Sequence, residues 1–142
     1  MVDVSVTAAN LRTTANVAKF YNNQTAGEAL TRGEACYKKA SDEKWWLADA
    51  DASAEASGST VRVGIAAQDV GAEQIVDIVY YDPTFTPGFT VVANTVYAVS
   101  ATAGGIMPIA DISAGDYGVF LMIGISTTQA FLDIRKSGVV TA

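Results

Sequence analysis

Histidine is absent from all 142 residues of this chain. Its absence removes the commonest general base, the commonest metal ligand and the usual partner of a serine or cysteine nucleophile. What chemistry remains lies in three short constellations. Asp49-Ala50-Asp51-Ala52-Ser53 sets oxygen side chains on alternate residues, as a calcium loop does to converge them on a hard cation. Ala54 stands where the loop glycine belongs and Thr60 where the bidentate Glu belongs, so the segment reads as a solvated acidic loop. Ser41 and Lys44 have the Ser-x-x-Lys spacing in which a lysine deprotonates a serine, but no Ser-Asp-Asn or Lys-Thr-Gly element accompanies them. Cys36 lies near Lys38 and Lys39, whose charge could lower a thiol pKa; with no histidine to assist, a packed free thiol is expected. Gly104-Gly105 is turn punctuation and not a phosphate loop. The expectation is a protein that is not an enzyme, with no catalytic residue, no metal and no cofactor.

Aromatic side chains are the better candidates for contact. Trp45 and Trp46 are adjacent, so in a strand one ring fills the core and the other reaches solvent, a loop or a partner. Tyr80-Tyr81 poses the same question, and Phe85 and Phe89 flank a turn that reads as exposed. Residues 1–27 are rich in Asn, Thr and Ala and follow neither a helical nor a strand period. They read as an extended arm ordered against something else, or equally as a surface strand and loop of the main domain, 28–142. The residues expected to contact a partner are Leu11, Arg12, Lys19, Phe20 and Tyr21 of the arm, with Trp45, Trp46 and Tyr80.

The elements that would position them are strands. Half of the residues are hydrophobic and 17% are charged, mostly Ala, Val and Ile with many Thr and Gly, a mixture that favours strands and turns. Strands are expected over 35–39, 45–48, 60–66, 74–81, 89–92, 96–100, 106–110, 119–126, 130–135 and 138–141, with turns at Asp82-Pro83, Pro87-Gly88, Gly104-Gly105 and 113–116. The fold class is all-β: a compact sandwich or jelly roll, or a β-barrel-like domain, with an internal duplication suggested by recurring landmarks. Tyr37, Leu47-Ala48-Asp49, Val63-Gly64-Ile65-Ala66 and Ile75-Val76-Asp77-Ile78 recur as Tyr97, Ile109-Ala110-Asp111, Ile123-Gly124-Ile125-Ser126 and Phe131-Leu132-Asp133-Ile134. The order survives while the spacing shifts by 60, 62, 60 and 56 residues. If the copies are real, Asp77 and Asp133 should occupy equivalent places.

Net charge is −6, which argues against nucleic-acid or anionic-membrane binding. Residues 1–44 hold six Lys and Arg against five acids, and residues 45–142 hold three against ten. A single cysteine allows no intrachain disulfide, and the opening Met1-Val2-Asp3 carries no secretory signal, so synthesis in a cytoplasm is expected.

The runs AGEALTRGEACY (26–37), KWWLADAD (44–51), VGIA (63–66) and YAVSATAGGI (97–106) resemble the capsid decoration, or cement, proteins of tailed bacteriophages. The likeness spans roughly residues 26–135 and rests on turn-and-strand patterns. It implies a β-rich virion protein that binds the major capsid protein on the outer surface of the head and stabilises the lattice. It also implies self-association, as a homotrimer or alternatively a dimer. Two other readings stand beside it: a tail or baseplate attachment module, and a carbohydrate- or small-ligand-binding β-domain whose aromatic rings would stack on sugars.

Overall fold

The computed structural model describes residues 3–140. In chain order its strands are β1 (Lys19–Thr25), β2 (Ala35–Lys38), β3 (Trp45–Leu47), β4 (Val63–Ala66), β5 (Ile75–Phe85), β6 (Val96–Val99), β7 (Ile106–Pro108), β8 (Tyr117–Gly124) and β9 (Ala130–Val140). They form one antiparallel sheet in the order β3-β2-β4-β5-β9-β8-β6-β7, with β1 beside β5. The sheet curls into a half-barrel, the barrel-like form of the expected all-β class. Helix is confined to two 3-10 turns, Ala8–Asn10 and Ile109–Asp111.

Alternation along the strands explains the curl. Tyr37, Val63, Ile65, Val79, Tyr97, Val99, Val119, Leu121 and Leu132 point to the concave side and form the main core. Burial of such side chains, at roughly 25 cal/mol per Å2, is the chief force holding the sheet bent around them. A second, smaller layer lies on the convex side of the first half, where Cys36, Trp45, Ala66, Val76 and Ile78 pack under Ala26 and Leu30.

The strand order is a repeat. Reading outward from the middle gives β5-β4-β2-β3 on one side and β9-β8-β6-β7 on the other. Tyr37 pairs with Trp46 and Val63, and Tyr97 pairs with Pro108 and Met122, so both tyrosines hold the same place. Leu47 and Ile109 then follow in register. The third landmark slips by one, because Val63 matches Met122 and not Ile123; a register shift between Phe120 and Met122 absorbs the difference. The fourth landmark fails. Asp77 lies two residues before Val79, which pairs with Ile65, whereas Asp133 lies three residues after Ala130, which pairs with Gly124. The two aspartates are not equivalents.

Other expectations need correction. Residues 89–92 form no strand; Phe89 and Val91 are buried from a loop. Phe85 is fully buried, so the turn that read as exposed is core. β5 runs through Pro83, which sits at the register shift between Asp82 and Phe85, where the ladder asks nothing of its missing N–H. The last two expected strands are one, β9, and Thr141 lies outside the described residues.

The N-terminal segment is extended, and it is ordered against its own domain. The Val4 N–H donates to Ile106 (2.9 Å), the Thr7 N–H to Gly88 (2.8 Å), and the Thr14 N–H to the Asp82 carboxylate (2.7 Å). Arg12 and Thr86 exchange main-chain bonds of 2.8 and 2.9 Å. β1 continues the strap along β5 from Tyr81 to Ile75.

Candidate docking surface

The fold separates the expected contact residues into two groups. Leu11 is 1% exposed and Trp45 is fully buried, its indole N–H donating to the Gln24 side chain at 3.0 Å. Both hold the fold and offer a partner nothing. Trp46 lies half-buried beside Gly27, its indole N–H reaching the Asp42 carboxylate at 3.2 Å and the Lys39 ammonium lying 5.0 Å from the ring centre. A Cβ at residue 27 would run into that ring. Arg12 is exposed and bonds the Ala9 and Leu11 carbonyls, and Phe20 packs against the main core. Lys19, Tyr21 and Tyr80 come together.

They meet where β9 parts from β5. The two strands pair from Phe85↔Ala130 to Tyr81↔Asp133, and at Tyr81 the neighbour of β5 changes from β9 to β1. Past Asp133, β9 pairs with β8 alone among the described residues. The divergence opens a cleft of about 300 Å3 lined by Lys19, Tyr21, Tyr80, Tyr81, Asp133 and Lys136. Tyr21 stacks on Tyr80 with ring centres 4.2 Å apart, and the Arg62 guanidinium lies 4.9 Å over Tyr21. Lys19 sits 5.0 Å over Tyr81, whose ring meets Phe131 edge-on at 5.7 Å. The Lys136 ammonium donates to the Val61 carbonyl, and burial lowers its pKa.

Asp133 and Phe131 lead from the cleft onto the convex face of the second half. There Val96, Ile109, Phe120, Ile123 and Phe131 line a shallow apolar depression of about 370 Å3, with Arg135 at its rim. Ile109 is 38% exposed, Ile123 42% and Ile125 48%. The matching positions in the first half are covered. Cys36, which corresponds to Val96, is buried, and Leu47, which corresponds to Ile109, packs into the convex layer beneath the chain leaving β1. Tyr80, which corresponds to Phe131, lies under Tyr21. One copy of the repeated face is overlaid by the Tyr21 ring and the Ala26–Leu30 segment, while the other leaves Ile109 and Ile123 exposed.

The charge is arranged around this surface. Only three Lys or Arg residues follow residue 44, and Arg62, Arg135 and Lys136 all stand here, joined by Lys19. Among the described residues Asp133 is the lone carboxylate lining the two depressions, and Arg135 pairs with it at 2.7 Å. The sequence reading missed Phe131, Arg135 and Lys136. The alternation Phe131, Asp133, Arg135 marks one strand face, but nothing local brings Arg62 to it.

The chemistry-bearing constellations stay apart. Burial drives the Cys36 thiol far above its ordinary pKa, reinforced by Glu34, so neither lysine activates it. Lys44 is engaged with Glu73 at 2.8 Å, while Ser41 is exposed in a turn. Asp49 has a raised pKa, from burial first and from Asp51 next. Among the described residues no three His, Cys, Asp or Glu side chains are grouped to hold a metal ion, and no helix is long and apolar enough to cross a membrane. The chain matches no protein-family model, no curated protein and no solved structure.

Proposed function

We propose that this chain is a non-catalytic docking module: a structural virion protein that binds the outer surface of a tailed-phage head and reinforces the capsid lattice. The observation that carries the reading is the convex face of the second half, an apolar sheet surface with Ile109 and Ile123 exposed, whose duplicate in the same molecule is overlaid by Tyr21, Ala26 and Leu30. Unpartnered apolar faces with a charged rim are characteristic of interaction sites. An acidic molecule with four of its nine Lys and Arg residues at one such face has a defined way round for docking. The resemblance supplies the capsid as partner and a symmetric oligomer, a trimer, as the bound form, in which modest contacts repeated over the lattice sum to firm attachment. Mixing the protein with undecorated expanded heads and pelleting them tests this: saturable co-sedimentation is expected, and protein left in the supernatant at every concentration contradicts it. Electron microscopy of labelled particles separates a head location from a tail or baseplate one.

A cleft lined by Tyr21, Tyr80 and Tyr81 carries one second reading, a sugar-binding cleft. A glycan array decides it, since a head-binding protein without lectin activity gives no signal.

A further inference from the structure

We propose that the cationic tyrosine cleft and the adjoining apolar depression together form one groove for an extended acidic–aliphatic segment of a partner protein. The inference rests on the docking-module reading and adds the chemistry of what docks. Three observations point to an extended peptide. First, the closed copy of the same face is covered by a strand and the chain that follows it, with Tyr21 laid on Tyr80 and Leu30 and Ala26 over the convex layer. Second, over residues 134–136 β9 has no strand beside it on the cleft side among the described residues, which leaves room for an incoming extended segment to lie along it. Third, the depression is lined by Val96, Ile109, Phe120, Ile123 and Phe131, which suits aliphatic side chains, whereas a sugar would bring hydroxyls there.

The charge selects an acidic segment. Lys19, Arg62 and Lys136 flank the cleft and Arg135 the depression, against Asp133 alone. Lys136 meets a main-chain carbonyl and, among the described residues, pairs with no carboxylate, so an incoming carboxylate finds an ammonium without a counter-charge. The ring faces that a sugar would need are partly taken, by Tyr80 against Tyr21 and by Lys19 over Tyr81. A peptide therefore fits this surface better than an acidic polysaccharide.

The test needs no capsid. The full chain, 15N-labelled, is titrated with the peptide Glu-Ile-Glu-Phe-Glu, with Lys-Ile-Lys-Phe-Lys, and with a hyaluronan hexasaccharide. The acidic peptide should shift the amides of Lys19, Tyr80, Tyr81, Ile123 and Phe131. Its affinity should fall by about tenfold in the Lys19→Glu/Lys136→Glu double variant and weaken with added salt. Ile123→Asp, on an exposed side chain, should weaken it without unfolding the sheet. No shift at millimolar acidic peptide overturns the proposal, as does equal binding of the basic peptide or preferential binding of the hexasaccharide. Self-association of the free chain that is lost in Ile123→Asp also overturns it, because a second copy would then occupy the groove. Heads that bind the protein while the peptide does not would refute this inference alone; the converse would refute the capsid reading alone.

Discussion

Two neighbouring tryptophans show how far residue identity decides role. Trp45 and Trp46 have the same side chain, and their strand sends them to opposite faces. Trp45 enters the convex layer with no exposure, and Trp46 lies under a loop at the rim. Trp45→Ala should cost about 3–5 kcal/mol in urea unfolding, and Trp46→Ala less than half as much. Equal losses would mean that the two rings are buried alike. That one ring would be core was legible from adjacency, but which one was not, because the choice depends on Gln24 and the chain after β1, far along the sequence. Glu34 offers a second residue-scale test. Burial raises its pKa even though its carboxylate accepts the Thr31 N–H at 2.6 Å. The folded state thus holds this proton to higher pH than the unfolded chain does, and the associated stability is lost as pH rises from the ordinary carboxylate range through the folded value. Glu34→Gln keeps the acceptor and removes the titration. Its melting temperature should gain on the wild type as pH goes from about 4 to about 7; a constant difference between the two would contradict the assignment.

At the scale of elements, the strap and β1 matter most. The sequence showed the strands of residues 35–126 through their alternation and turn residues, and most lie within a few positions of expectation. Residues 1–27 left a free arm and a surface strand of the main domain equally open, because Lys19-Phe20-Tyr21-Asn22-Asn23-Gln24-Thr25 has polar residues on both faces, and two register shifts break its pairing with β5. Its order comes from β5 and Tyr80, which local sequence does not carry. The duplication was half legible: Tyr37/Tyr97 and Leu47/Ile109 hold, while a one-residue slip in β8 and a shorter β8–β9 connection move the later landmarks out of step. Removing residues 1–25 should lower the melting temperature by about 5 °C or more, because it strips β1 from β5 and Tyr21 from the convex layer. The same truncation should turn Cys36, buried in the intact chain, into a thiol that reacts promptly with Ellman's reagent. An unchanged melting temperature with an unreactive thiol would show that the strap is not part of the fold.

The whole molecule is a half-barrel of two similar halves with unlike convex faces, one closed and one open. That asymmetry was invisible in the sequence, because it arises from Tyr21 and the Ala26–Leu30 segment lying over one copy and nothing equivalent over the other among the described residues. The net charge was plain from composition, but the convergence of Arg62, Arg135, Lys136 and Lys19 needed the fold to bring β1 and β9 to one cleft. Four of the nine Lys and Arg residues of an acidic molecule thus stand at one face, which favours an acidic partner there. On the reading proposed above, that face is the one turned to the capsid. The most direct measurement is a cryo-EM reconstruction of expanded, undecorated heads incubated with the purified chain. The account predicts ordered density at symmetric positions on the outer head surface, with the convex face of β6, β8 and β9 turned toward the capsid shell. Bare heads under saturating protein, or density confined to the tail, would contradict it.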